Sequence, residues 1–165
     1  MNNQSRQEGG CLCGHVRYAT SSPPARVTIC FCRFCQRATG AWGMVEPLFE
    51  KSMFEVTLGT PKTFKLASAG SGKEVTIHFC DTCGTKLALT FERWADIVGV
   101  YAGTFDDPNW FPRDGEDAKA IFLSSAQHGT IVPPNVKSYQ DHSTTNDGTP
   151  LEATVFDAPH IVDRS

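Results

Sequence analysis

The chain has 165 residues, of which 40% are hydrophobic and 20% charged, a composition typical of one soluble globular domain. Its 15 basic and 18 acidic residues give a net charge of −3, which does not suggest binding to nucleic acid. The first ten residues lack the apolar core of a secretory signal and no later apolar run is long enough to cross a bilayer, so we expect a cytoplasmic protein without a membrane partner.

The hydrophobic pattern predicts short β-strands along most of the chain and little helix. Apolar and polar residues alternate, or β-branched residues accumulate, over about four to eight residues at a time. In chain order, the predicted strands span residues 11–18, 26–29, 44–49, 54–58, 63–66, 74–79, 86–91, 96–105 and 120–123. A short turn of helix is predicted at 32–40. The fold is therefore expected to be mainly β.

The polar ends of the sequence set the predicted domain boundaries. Residues 1–9 are polar and are predicted to be a disordered leader. Residues 138–165 are predicted to be a polar, mobile C-terminal tail, although 151–156 could add an edge strand or dock on a partner. The remaining residues, 10–137, form the predicted folded domain.

All seven cysteines lie in three close clusters, which is too dense for ordinary core packing. In a reducing compartment, close-spaced cysteines are more often metal ligands than disulfides, and an odd number would leave one thiol unpaired. Zinc, which binds thiolates in tetrahedral sites, is the metal that this pattern favours. The clusters are Cys11 with Cys13, Cys30 with Cys32 and Cys35, and Cys80 with Cys83.

The two outer pairs are predicted to form one structural zinc site. A tight turn points both sulfurs of such a pair in one direction, so that two turns supply four ligands. The second pair lies in a turn between two β-patterned runs, as in a zinc-knuckle hairpin, where Gly84 can take the positive φ that the turn needs. The predicted structural ligands, called the four-cysteine cluster below, are Cys11, Cys13, Cys80 and Cys83.

The remaining thiols would fill three corners of a second zinc site and leave the fourth open. An open corner is typical of catalytic zinc, because it can accept water or an incoming thiol. Three alternatives remain: a ligand such as His78 or His15 closes the site, the thiols form an unmetallated redox cluster, or Cys11 and Cys13 join this zinc instead. The predicted catalytic ligands, called the cysteine trio below, are Cys30, Cys32 and Cys35.

Charged residues near these motifs have two interpretations each. Arg33 and Arg37 flank the cysteine trio and could pair with substrate carboxylates, or they could be solvated charges that offset the thiolates. Asp106 and Asp107 could orient a proton shuttle, although Asp before Pro more often belongs to a turn. The sequence shows no Ser–His–Asp pattern, phosphate-binding loop or dinucleotide fingerprint.

The order of the cysteine motifs resembles that of a known family. The motifs are Gly10-Cys11-x-Cys13-Gly14-x-Val16-Arg17-Tyr18, Cys30-x-Cys32-x-x-Cys35-x-Arg37 and Phe79-Cys80-x-x-Cys83-Gly84-Thr85-x-Leu87, with a further segment at 103–108. Over about residues 9–125 the chain is similar to the glutathione-dependent formaldehyde-activating enzyme family, whose relatives include centromere protein V. Phe31 stands where members often have histidine, and the region after Phe122 matches the family's usual end poorly.

The resemblance implies a β-tent zinc-binding fold of small antiparallel sheets with few short helices. It also implies two zinc ions per chain, a structural one on the outer pairs and a second on the trio, where the sulfur of glutathione meets formaldehyde. The implied activity is that of an S-(hydroxymethyl)glutathione synthase, a carbon–sulfur lyase. We therefore expect an enzyme that adds a thiol, glutathione, to a small aldehyde, with Arg33 or Arg37 holding the thiol's carboxylates.

Two other hypotheses remain open at this stage. A non-catalytic zinc module would bind a protein partner, for example through the tail, and a fourth protein ligand would close its central zinc. A redox sensor would instead release zinc when the trio is oxidised. The open strand edges of a β-rich domain are also compatible with a homodimer.

Overall fold

The computed structural model describes residues 6–164 and contains two compact units. The first unit comprises the chain up to Ala25 together with Pro47–Phe111, and the second comprises Arg26–Glu46 together with the chain from Pro112 onwards. Strands outnumber helices throughout these residues, which confirms the mainly β prediction. In the same residues, no helix has the length and apolar character required to cross a membrane.

The regular elements are short. The α-helix is α1 (Arg33–Thr39), and 3₁₀ turns occur at Lys51–Met53, Ala102–Thr104 and Leu123–Ser125. In chain order, the strands are β1 (Gln7–Gly10), β2 (Arg17–Thr20), β3 (Arg26–Cys30), β4 (Met44–Glu50), β5 (Phe54–Leu58), β6 (Lys62–Ala67), β7 (Glu74–Phe79), β8 (Lys86–Phe91), β9 (Ile97–Val100), β10 (Ala118–Ile121), β11 (Ile131–Val132), β12 (Lys137–Ser138) and β13 (His160–Ile161).

The first unit is built from antiparallel strands, as predicted. One sheet has the order β1-β2-β5, and the second half of β4 begins another that continues through β9, β8, β7 and β6. An aromatic core lies within this unit: the ring of Tyr18 stacks on Phe54 at 5.3 Å and meets the edge of Phe105 at 5.4 Å. Tyr18 is 1% exposed, so these contacts form deep in the interior.

Two predicted strands of the first unit are shorter than expected. Residues 11–16 form a turn rather than a strand, closed by hydrogen bonds from Gly14 N to Cys11 O (3.1 Å) and from Cys11 N to Val16 O (3.0 Å). The Cys11-x-Cys13 spacing resembles strand alternation in the sequence, but here the turn brings the two sulfur atoms to 3.5 Å from each other. After β9 the predicted strand is replaced by the 3₁₀ turn Ala102–Thr104.

The second unit contains parallel strands, although only antiparallel sheets were expected. Strand β10 pairs in parallel with β3 on one side and with β12 on the other, while β11 and β13 are antiparallel. Parallel pairing requires a long connection, and the whole of Pro47–Phe111 lies between β3 and β10 in sequence. A hydrophobic core contains Ile29, Phe31, Ala118, Ala120, Leu123, Ala126, Val132, Val136 and Val162.

A disordered leader and a mobile tail were expected at the two ends of the chain, but both ends contain residues with strand pairing or core contacts. Residues 7–9 of the predicted leader belong to β1, which pairs with β2, while residues 1–5 lie outside the described part of the chain. In the predicted tail, Ser138 and Thr154 exchange backbone hydrogen bonds of 2.8 Å, and Val162 is 6% exposed in the core of the second unit. A few apolar residues in a polar stretch are therefore enough to pack it.

Candidate metal centres and a cleft beside the helix

The four-cysteine cluster comes together within the first unit. Its four sulfur atoms all lie within 4.8 Å of one another. The sulfur of Cys13 lies 3.5 Å from that of Cys11 and 3.7 Å from that of Cys80. A tetrahedral zinc with Zn–S bonds of about 2.3 Å separates its sulfurs by about 3.8 Å, so the number, type and spacing of these ligand atoms fit zinc.

Two turns of similar design hold these sulfurs. At the second pair, Gly84 N donates to Cys80 O (2.8 Å) and Cys80 N donates to Thr85 O (2.9 Å), between β7 and β8. Gly84 has a φ of +74°, a conformation that glycine adopts at no steric cost, as the hairpin prediction requires. The first pair repeats this pattern with Gly14 at φ +76°.

Thr85 connects the two turns, a role that sequence reasoning missed. Its hydroxyl accepts a hydrogen bond from Leu12 N (3.2 Å) and lies 3.1 Å from the sulfur of Cys83. The contact with the Thr85 hydroxyl lowers the pKa of the Cys83 thiol to about 5. The surroundings of this sulfur therefore favour the thiolate form, which is the form that binds metal.

The cysteine trio is assembled by one strand and one helix of the second unit. Cys30 ends β3, Cys32 is the N-cap of α1, and Cys35 lies in the first turn of that helix. Their sulfur atoms lie within 4.8 Å of one another. The sulfur of Cys32 accepts a hydrogen bond from Cys35 N at 3.4 Å, so the helix start fixes the position of this ligand.

The three thiols share negative charge unequally. Hydrogen bonds from Cys30 and Cys35 lower the pKa of Cys32 to about 3. The contact with Cys32 raises the pKa of Cys30, and the contacts with Cys30 and Cys32 raise that of Cys35. The thiolate form is therefore favoured at Cys32 and disfavoured at Cys30 and Cys35, because neighbouring negative charges repel one another. A bound cation would offset this repulsion.

Within residues 6–164, no histidine or carboxylate joins the ligand atoms of the trio. The histidines considered as a fourth ligand have other partners: His78 Nε2 lies 2.9 Å from the Thr90 hydroxyl, and His15 Nδ1 lies 3.1 Å from the Cys13 sulfur. Cys13 itself groups with the outer pairs. The ligand roles of all seven thiols stay predictions, but the structure groups the thiols as the leading prediction did.

Phe31, between two thiols of the trio, faces the other way. Its side chain is fully buried in the hydrophobic core of the second unit and packs against Trp42 at 5.6 Å between ring centroids. Because side chains alternate along an extended segment, burial of Phe31 in the core directs its two neighbours away from the core. An apolar residue at this position therefore helps to orient Cys30 and Cys32.

A cleft of about 390 Å³ runs beside α1. Its deepest polar residue is Gln36, which is 4% exposed and donates to Phe31 O (2.6 Å) and Ser125 O (2.8 Å). Its Oε1 accepts hydrogen bonds from the Gln127 amide (3.1 Å) and from the Arg33 guanidinium. No sequence pattern marks Gln36, because glutamine is usually exposed. The cleft is lined by Arg33, Gln36, Arg37, Gly40, Ala41, Trp42 and Gln127.

The two aspartates considered as proton-shuttle residues have structural partners in the first unit. The Asp106 carboxylate forms a two-pronged ion pair with Arg17, with 2.9 Å between Nη1 and Oδ1, and this contact lowers the pKa of Asp106. Asp107 accepts a hydrogen bond from Asn109 N at 2.9 Å. The turn interpretation of this segment therefore agrees with the contacts that the structure shows.

Comparison with known families decides where the chain belongs. The sequence model of the family described as glutathione-dependent formaldehyde-activating enzyme matches residues 6–125. The chain belongs to this family. The matched region includes both thiol groupings and ends at Ser125, whose backbone carbonyl binds Gln36 at the base of the cleft.

Individual relatives are distant. A protein of Halomonas elongata, named for the formaldehyde-activating family, is 29% identical over 102 residues, which cover 60% of this chain and 65% of that protein. The similarity thus spans less than two thirds of that relative. A crystal structure of a Rhodobacter sphaeroides protein is 21% identical, covers 68% of this chain and 98% of that one, and superposes with a TM-score of 0.49.

Proposed function

We propose that this protein is a zinc-dependent enzyme that adds the thiol of glutathione to formaldehyde, giving S-(hydroxymethyl)glutathione. The reverse reaction breaks the same bond, so the enzyme would be a carbon–sulfur lyase. The observation that carries this proposal is the cysteine trio with no fourth ligand among the described residues. Membership of the formaldehyde-activating family supports the choice of thiol and aldehyde.

The trio would hold the reactive zinc, and the four-cysteine cluster a structural one. When bound at the trio, zinc would supply Lewis acidity and favour the thiolate form of an incoming thiol. The chain contributes fixed geometry: β3 positions Cys30, and the N-cap and first turn of α1 position Cys32 and Cys35. Reduced thiols persist in a reducing compartment, so the proposal includes a cytoplasmic location.

The cleft beside α1 would hold the peptide part of glutathione. Arg33 and Arg37 are four residues apart on the helix and therefore lie on one face of it. Both line the cleft, and the hydrogen bond to Gln36 orients the Arg33 guanidinium. Glutathione carries two carboxylates, the groups that guanidinium binds best.

We expect replacement of Arg33 or Arg37 with methionine to raise KM for glutathione by about tenfold or more, with a smaller change in kcat. The loss of one charge-assisted hydrogen bond accounts for an effect of this size. The measurement is the initial rate of adduct formation over a range of glutathione concentrations, after subtraction of the uncatalysed reaction. As a control, Arg113, an exposed arginine outside the cleft lining, is replaced in the same way and is expected to leave KM unchanged. An unchanged KM in both cleft variants would contradict this binding mode.

Calorimetric titration of glutathione, with metal content measured on the same sample, tests the proposal itself. We expect two zinc ions per chain, one for each cysteine grouping, and saturable binding of glutathione. S-methylglutathione serves as the control ligand because it keeps both carboxylates but has no thiol to ionise, and we expect it to bind much more weakly. Two zinc ions without any glutathione binding would instead support a non-catalytic zinc module.

A further inference from the structure

Gln127 lines the cleft beside α1 and lies beyond residues 6–125, the region that the family model matches. The other lining residues lie within 33–42, so Gln127 comes to the cleft from a distant part of the chain. The cleft volume of about 390 Å³ lies in the range typical of small-molecule pockets, about 300 to 1,000 Å³. What Gln127 does in this cleft is therefore not specified by the matched region.

Backbone contacts on both sides hold the segment that carries Gln127. Directly before it, Ala126 O accepts a hydrogen bond from the guanidinium of Arg164 at 3.2 Å. Two residues after it, Gly129 N donates to Val162 O at 2.9 Å. The side chain of Gln127 is exposed, but these contacts give it a defined position from which to meet a ligand in the cleft.

The orientation of the Gln127 amide follows from the contacts of Gln36. One end of the Gln36 amide contacts Phe31 O (2.6 Å) and Ser125 O (2.8 Å), and because carbonyl oxygens only accept, this end is the nitrogen. The other end is therefore the oxygen, so the Gln127 atom that lies 3.1 Å from it is the amide nitrogen. The Gln127 oxygen remains as an acceptor that Gln36 does not use.

Most side chains that line the cleft donate hydrogen bonds but cannot accept them. Arg33, Arg37 and Trp42 carry only N–H donors, and the two small residues of the lining have no polar side chain. The Gln36 oxygen already accepts from Arg33 and Gln127, which occupies both of its lone pairs. Among the described residues, Gln127 thus provides the one side-chain oxygen of the lining that remains able to accept a hydrogen bond from a ligand.

We propose that the Gln127 oxygen binds the α-ammonium group of the γ-glutamyl residue of glutathione, an inference that rests on the proposed function. This residue carries a carboxylate and an ammonium group on the same carbon. The guanidinium groups of Arg33 and Arg37 attract the carboxylate but repel the ammonium, which therefore needs an acceptor nearby. Gln127 supplies that acceptor and so distinguishes γ-glutamyl thiols from thiols that carry carboxylates alone.

The test compares glutathione with glutaryl-cysteinylglycine, in which hydrogen replaces the α-ammonium group while the thiol and both carboxylates remain. Each ligand is titrated calorimetrically into zinc-loaded wild-type protein and zinc-loaded Gln127→Met. The wild-type protein should bind glutathione more tightly than the analogue. Because a hydrogen bond to a charged group is lost, we expect this preference to fall by about tenfold or more in Gln127→Met, with affinity for the analogue unchanged.

Three further measurements separate ammonium binding from a general effect on the cleft. Gln140→Met makes the same substitution at an exposed glutamine outside the lining and should leave both affinities unchanged. Thermal unfolding of Gln127→Met should match that of wild type, because the replaced side chain is exposed. In steady-state assays of Gln127→Met, KM for glutathione should rise while kcat changes little, because the lost contact is to the peptide part and not to the reacting sulfur.

The possible failures have different meanings. Equal affinity of the wild-type protein for glutathione and the analogue would overturn this inference and leave the proposed function standing, and this comparison needs no variant. An equal loss of affinity for both ligands in Gln127→Met would show that Gln127 only shapes the cleft, which also overturns the inference. A wild-type protein that binds no glutathione would overturn the proposed function, and this inference with it.

Discussion

Replacement of Cys32 with serine is expected to abolish turnover while the fold persists. The substitution removes one of three thiolates from the trio, and a hydroxyl is a poor ligand for zinc. It should nevertheless preserve the start of α1, because serine is among the best N-cap residues and can accept the hydrogen bond that Cys32 accepts from Cys35 N. We expect kcat/KM to fall by about 10³-fold or more and zinc content to fall from two ions to one per chain.

The measurements for this variant are steady-state rates, zinc content and thermal unfolding on one preparation. Cys32 is only partly buried, so the change from sulfur to oxygen leaves no large cavity and Tm should move by only a few degrees. Unchanged aldehyde turnover in a folded Cys32→Ser protein would contradict the proposed role of the trio. Loss of the fold would show that the trio serves the structure instead.

Replacement of Cys13 with serine is expected to cause a large loss of stability, whereas the Cys32 variant is expected to lose turnover and remain folded. Cys13 is exposed, so its substitution disturbs little packing, and any loss of stability reports on the metal site. Structural zinc contributes about 10–16 kcal/mol to the folding of small zinc-binding peptides, a value comparable to the total stability of a domain. For loss of one ligand of four, we expect a decrease in Tm of about 10–20 °C.

Chelation provides the matched control for this second variant. If the effect of Cys13→Ser acts through the metal, the wild-type protein after removal of zinc should unfold at nearly the same temperature as the variant. Adding zinc back should raise the Tm of the wild-type protein much more than that of the variant. Equal melting temperatures for zinc-loaded wild type and Cys13→Ser would contradict a structural zinc on the four-cysteine cluster.

Together the two variants test how the seven thiols are divided. At temperatures where Cys13→Ser remains folded, it should still bind glutathione, whereas Cys32→Ser should be stable and unable to bind it. If Cys13 instead shared a single metal with the trio, each substitution would reduce both stability and glutathione binding. The sulfur distances within each grouping favour two separate sites.

Much of the backbone geometry around the cysteines was predictable from the sequence, because it depends on local spacing. Close-spaced cysteines followed by glycine specify tight turns, and Gly84 does adopt the predicted positive φ. The helix after Cys32 and the hairpin around Cys80 and Cys83 were predicted for the same reason, since each is determined by a few neighbouring residues. These local elements determine the two cysteine pairs and the trio, whereas the approach of Cys13 to Cys80 joins residues distant in sequence and depends on the tertiary structure.

The tertiary structure decided what depends on residues distant in sequence. The parallel pairing of β3 with β10 and the packing of Val162 required partners that no local pattern identifies. Burial was also decided at this level: glutamine is ordinarily a surface residue type, and only the fold buries Gln36 at the base of the cleft. The sequence by itself determined the metal ligands we predict, because turn geometry is local. Which polar side chains are buried near them was decided by the fold, because burial depends on contacts between residues that are distant in sequence.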